Sequence, residues 1–149
     1  MSYTEKINQD LKQAMKEKQK EKLEALRAVK TAFTLAKSEK SSDYQLKEEE
    51  ELKILQKLVK QRKDSATIYK EQSREDLAEK ELFEAGVIEE YLPAPMSEEE
   101  VEEVLKEIIS ESGASGMQDM GKVMGIATKK LAGQADGKLI SGIVRKLLA

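Results

Sequence analysis

The sequence predicts an all-α protein, and three observations carry that prediction. The first 85 residues contain no glycine and no proline, whereas all eight glycines and both prolines lie between Gly86 and Gly142. The breaker-free stretch is rich in Glu, Lys, Leu and Ala, side chains that lose little on entering a helix. Apolar residues recur at three- and four-residue spacing, and no segment sustains the two-residue alternation of a strand.

Ser2 and Glu5 stand at capping-box spacing and open a first helix, read over 3–18. Leu23, Leu26 and Phe33, with Val29 and Ala32 alongside, trace a second over 20–39, ended by the polar run 38–43. Leu52, Leu55, Leu58, Val59, Ala66 and Tyr69 trace a third over 46–72, and Gln72-Ser73-Arg74 is a weaker break. Leu77, Leu82, Phe83, Val87, Ile88, Tyr91 and Leu92 give the fourth, over 75–91. Pro93 and Pro95 then force an extended linker, because proline lacks the amide donor and pushes the residue before it out of the helical region. The linker divides the chain into an N-terminal bundle of helical hairpins, 1–92, and a three-helix tail, 96–149.

In the tail, Ser97 and Glu100 repeat the capping-box spacing, and acids at 98, 99, 100, 102 and 103 suit the positive end of a helix. Val101, Val104, Leu105, Ile108 and Ile109 form its apolar face, and Gly113 ends it. Met117, Met120, Met124, Ala127 and Leu131 mark the core face of the next helix, which stops at Gly133. Asp136 is placed to cap the last helix, whose inner residues are Leu139, Ile140, Ile143, Val144, Leu147 and Leu148.

Composition narrows the chemistry. The 149 residues include no cysteine and no histidine. Disulfides, thiolate nucleophiles and imidazole bases are therefore excluded, and with them any Ser–His–Asp or Cys–His device. No catalytic constellation is found, and neither a cofactor nor a metal is expected. No apolar run is long enough to span a membrane, and the N-terminus has no apolar signal region, so the cytoplasm is the expected compartment. Cations number 26 and acids 29, so any attraction to nucleic acid must come from a local patch.

Several patterns compete for a function. Gly116 to Lys122 has the glycine and lysine spacing of a phosphate-binding loop, but Val123 stands where a magnesium-binding hydroxyl is required, and no strand precedes it. Its methionines read as core instead. The acid runs 48–51 and 98–103 read as solvated helix starts. Arg62 lies on an apolar stripe and calls for an acid partner, with Glu24 or Glu81 as candidates. Lys53, Lys57 and Lys60 form a local basic stripe. In the tail, residues 93–111 carry one lysine against seven acids, whereas 112–149 carry six cations against two acids. Lys122 and Lys129 share a helix face with Gly125 between them, a spacing that lets a phosphate backbone approach closely. Lys130, Lys138, Arg145 and Lys146 add charge nearby. The competing reading is solvated lysine, with Gly121 and Gly125 serving close helix packing, and spacing alone leaves both open.

At these residues the chain resembles a known family. Ser115 to Gly125, with Asp119-Met120-Gly121-Lys122-Val123-Met124 at its centre, and Gly133-Gln134-Ala135-Asp136-Gly137 are similar to the YqeY family. Leu26-Arg27, Gln61-Arg62 and Glu90-Tyr91-Leu92-Pro93 fit the same pattern, and the chain is identified as a member on nearly its whole length. The family shares its tail with the C-terminal domain of GatB, a subunit of the glutamine-dependent tRNA amidotransferase. That resemblance implies an all-helical tail that contacts the tRNA body, away from the acceptor end, with the amide-forming chemistry in a catalytic core absent here. Gln134 and Gly137 depart from the cation and proline usual in GatB tails. The expected function is a non-catalytic, tRNA-interacting protein whose partner is tRNA or a tRNA-charging assembly. A protein-interaction adaptor using the 97–111 face or the 46–72 helix is the alternative, and a carbon–nitrogen ligase with glutamine as amido-N donor is the third.

Overall fold

The computed structural model describes residues 1–149 and is all-helical. It contains α1 (Tyr3–Lys16), α2 (Lys20–Ser38), α3 (Glu48–Glu71), α4 (Glu75–Glu89), α5 (Glu98–Ser112), a 3₁₀ turn (Met117–Asp119), α6 (Met120–Lys130) and α7 (Gly137–Leu148). The chain forms two compact units, Met1–Leu92 and Pro93–Ala149.

The first unit holds α1 to α4. Its α1 opens on the full capping box: the Glu5 amide donates to Ser2 Oγ at 3.1 Å, and the Ser2 amide donates to Glu5 Oε2 at 2.9 Å. Ile7, Leu11 and Ala14 of α1 meet Leu26, Val29 and Phe33 of α2, Leu55 and Val59 of α3, and Ala85 and Ile88 of α4 in one core. The α1–α2 and α3–α4 breaks use residues in the left-handed region rather than glycine, with φ +56° at Lys18 and +60° at Ser73. A polar tie also crosses the unit, where the Tyr91 hydroxyl donates to Asp10 Oδ2.

Three expectations change in this unit. Arg62 pairs with neither Glu24 nor Glu81. Its Nε donates to Glu84 Oε2 at 3.1 Å, and its Nη1 donates to the Leu58 carbonyl at 3.3 Å. The tight α3–α4 hairpin explains the choice, since Arg62 and Glu84 each stand eleven positions from Ser73. Glu24 is engaged by Lys80 instead, at 3.5 Å. Secondly, Glu51 is not part of a solvated helix start. It is 2% exposed and accepts from both the backbone amide and the hydroxyl of Thr4, each at 2.8 Å. An acid in the first turn of α3 thereby satisfies an unpaired amide at the start of α1. Thirdly, Leu82 and Phe83 leave the core and are 40% and 45% exposed. The buried residues of α4 are Ala78, Ala85, Val87 and Ile88; its small alanines bring the helix in close, and the larger side chains beside them stay outside.

In the second unit, Val101, Leu105 and Ile108 of α5 pack with Val123 and Ala127 of α6, Leu131 and Ala135 of the following turn, and Ile140, Val144 and Leu148 of α7. Ser97 Oγ accepts from the Glu100 amide at 3.2 Å, so only this half of the expected capping box forms. Gly113 ends α5 at φ +72°, and Gly133 turns the chain after α6 at φ +76°, a conformation that costs other residues more. Asp136 Oδ1 accepts from the Lys138 amide and caps α7. The methionine stripe is corrected here. Gly116 is fully extended, so Met117 falls on the 3₁₀ turn and is 45% exposed. The buried stripe of this segment is Val123, Ala127 and Leu131, flanked by half-buried Met120 and Met124.

Candidate nucleic-acid interface

One side of α6 faces the core through Val123 and Ala127. The other side consists of Gly121, Lys122, Gly125, Ile126 and Lys129, all exposed. The packing explanation for its glycines fails on geometry. A Cβ placed on Gly121 or on Gly125 would meet nothing within 4 Å. Glycine inside a helix costs about 1 kcal/mol relative to alanine, and no neighbour here requires it.

The pattern recurs on α7, a feature that sequence reading passed over. Lys138, Gly142 and Arg145 reproduce Lys122, Gly125 and Lys129 as cation, glycine and cation across seven residues, and Gly142 also faces open space. The signal was present in the spacing, but Gly142 sits inside an otherwise strongly amphipathic helix, where attention goes to the apolar face. Lys146 and Lys130 lie one position round from the last cation of each triplet and are exposed.

Helix dipoles account for part of this charge. Lys129, Lys130, Arg145 and Lys146 occupy last turns, where cations are favourable. Lys122 and Lys138 lie in first turns that contain no acid, where cations are unfavourable. Lys122 has a compensating contact, since its Nζ donates to the Ser112 carbonyl at the end of α5, at 3.1 Å. None of Lys122, Lys129, Lys130, Lys138, Arg145 and Lys146 forms an ion pair, and none has an acid to offset its charge, Lys122 being held instead at the Ser112 carbonyl.

The other candidates fare differently. Lys53 and Lys60 are matched one turn away on α3 by Glu49 at 3.6 Å and Asp64 at 4.0 Å, and nearby Lys63 reaches Glu89 at 2.8 Å. Of the stripe Lys53, Lys57 and Lys60, only Lys57 remains without a partner. The acids that pair with the other two, Glu49 and Asp64, lie just outside the stripe in the sequence. The segment 116–122 forms no phosphate cradle: it is an extended glycine, a 3₁₀ turn and a helix start whose lysine is tied to Ser112. No grouping of acidic side chains could hold a metal ion. No helix is long and apolar enough to cross a membrane.

The family model described as Yqey-like protein matches residues 4–148. The chain belongs to the YqeY family. A glutamyl-tRNA(Gln) amidotransferase subunit from Thermococcus gammatolerans is 46% identical over 66 residues, covering 42% of this chain and 10% of the relative. The altered inheritance of mitochondria protein 41 of Meyerozyma guilliermondii is 35% identical over 125 residues, covering 80% of this chain and 64% of the relative. Its counterpart in Pyrenophora tritici-repentis is 27% identical over 147 residues, covering 96% and 79%. The chain thus spans about a tenth of the length of the archaeal amidotransferase polypeptide that it matches.

Proposed function

We propose that this YqeY-family chain is a non-catalytic tRNA-interacting protein that holds the phosphate backbone with Lys122, Lys129, Lys130, Lys138, Arg145 and Lys146. One observation carries the reading most strongly: on each of α6 and α7 an exposed glycine with open space beside it stands between two unpaired cations. Such a surface admits a backbone closely and neutralises it, and no base-reading group accompanies it. Recognition is then by shape and charge, as for duplex RNA. The similarity to an amidotransferase polypeptide named for glutamyl-tRNA(Gln) supports tRNA or a tRNA-charging assembly as the partner. The proposed compartment is the cytoplasm, while the fungal relatives carry mitochondrial in their names.

Binding of total and individual tRNAs, measured against salt, tests the proposal. Replacing Lys129, Lys130 and Lys138 by alanine weakens all tRNAs similarly, and each lost phosphate contact flattens the logarithmic salt slope by about 0.7–0.9. Lys122→Ala is kept separate because it also removes the Ser112 contact. Unchanged slopes in the triple variant, or no binding at low salt, remove the basic tail from RNA recognition. Formation of glutaminyl-tRNA from glutamyl-tRNA, glutamine and ATP by the purified chain would replace the non-catalytic reading with a ligase.

A further inference from the structure

The first unit has a surface that the tRNA reading does not use. A groove runs between α1 and α2, as two openings of about 290 and 800 Å³ that share Asn8, Lys30 and Thr34. We propose that this groove docks an acidic amphipathic helix of a partner protein.

Two features of the groove coincide. The first is apolar. Apart from Met1, the two most exposed large apolar side chains of the molecule are Leu35 and Met15, at 60% and 58%, and both line this groove. The second is electrostatic. Lys12, Arg27 and Lys30 line the larger opening with no acid among its lining, none of the three forms an ion pair, and the smaller opening adds Lys37 against one acid, Glu5. Leucine and methionine left in water beside unpaired cations match a ligand with an apolar stripe flanked by carboxylates.

The dimensions agree. Lining residues of α1 run from Thr4 to Met15, which at 1.5 Å per residue is about 16 Å, or three turns of a docked helix. A nucleic acid fits less well. The one aromatic of the groove, Phe33, is 4% exposed and offers no stacking face, and a phosphate backbone has no use for Leu35 or Met15.

The test uses the full chain and three synthetic peptides of about 14 residues. One has leucines at i, i+3, i+7 and i+10 with glutamates flanking them; the second replaces every glutamate by lysine; the third scrambles the first. Affinity is read by fluorescence anisotropy, and the contact surface by amide chemical shifts. Saturable binding of the acidic peptide is expected, with shifts confined to α1 and α2. Binding should weaken at least tenfold in Leu35→Ser and again in Arg27→Glu/Lys30→Glu, with no comparable binding of the other two peptides. Each substitution is on the surface, and circular dichroism verifies the fold.

Equal binding of the scrambled peptide, or no binding at all, overturns the proposal. A short RNA duplex that shifts the same residues, and is lost in Arg27→Glu/Lys30→Glu but not in Leu35→Ser, assigns the groove to nucleic acid. A concentration-dependent dimer dissolved by Leu35→Ser assigns it to a second copy of the chain. All of these outcomes leave the salt behaviour of the tail cations untouched, so this surface and the tRNA reading stand or fall separately.

Discussion

Gly125 and Gly86 are both exposed, both lie within helices and both would gain a Cβ in open space. Alanine at either position removes the conformational freedom that glycine loses on folding, so each substitution raises stability by about 0.5–1 kcal/mol in urea unfolding. They should part company in binding. Gly86→Ala leaves tRNA affinity unchanged, whereas Gly125→Ala weakens it, because the added methyl stands between two of the cations proposed to hold phosphate. A Gly125→Ala variant that is more stable and binds equally well would remove this residue from the interface. The glycine spacing was legible in the sequence; the space around it was not, because a packed glycine and an open one read alike.

At the scale of elements, the hairpins were legible and the partners across them were less so. Breaker-free runs and capping residues placed each helix to within a few positions, since local spacing alone decides which face is apolar. The Arg62–Glu84 pair needs the hairpin register, which depends on where the turn centres. That centre is Ser73, held at φ +60°, where a non-glycine side chain costs about 1–2 kcal/mol. Ser73→Gly is therefore expected to stabilise the first unit by about 0.5–1 kcal/mol without altering the Arg62–Glu84 contact, as read by thermal unfolding. A loss of stability would mean that the serine side chain contributes more than its backbone strain removes. The buried position of Glu51 was beyond local reading altogether, because its partner Thr4 lies 47 residues earlier in the chain.

Across the whole molecule, charge is distributed without regard to its small net value. Acids and cations compensate one another along α3, while residues 112–149 keep six cations against two acids. The basic tail was therefore legible from a running count, whereas the α1–α2 groove was not, since its lining comes from two helices and its apolar members look like ordinary stripe residues. Long-range closure has its own pH signature. Burial pushes the Tyr91 hydroxyl well above the usual tyrosine range, and the hydrogen bond to Asp10 adds to the shift. A pKa raised in the folded state contributes stability that is complete below the unfolded value near 10 and is lost as pH rises towards the folded one. Unfolding free energy should accordingly fall above about pH 10. Tyr91→Phe lowers the neutral-pH value by about 1–2 kcal/mol and makes that fall shallower. An unchanged alkaline slope in the variant would assign the loss to other tyrosines.

The same hydrogen bond has a consequence for synthesis. Asp10 and Tyr91 are 81 residues apart. At about 5–20 residues per second, a ribosome needs about 4–16 s to make the second after the first. Throughout that interval the nascent chain carries Ile7, Leu11 and Ala14 without the full core that later covers them. A product truncated just before Tyr91 keeps the core residues of α4 but never acquires this fastening.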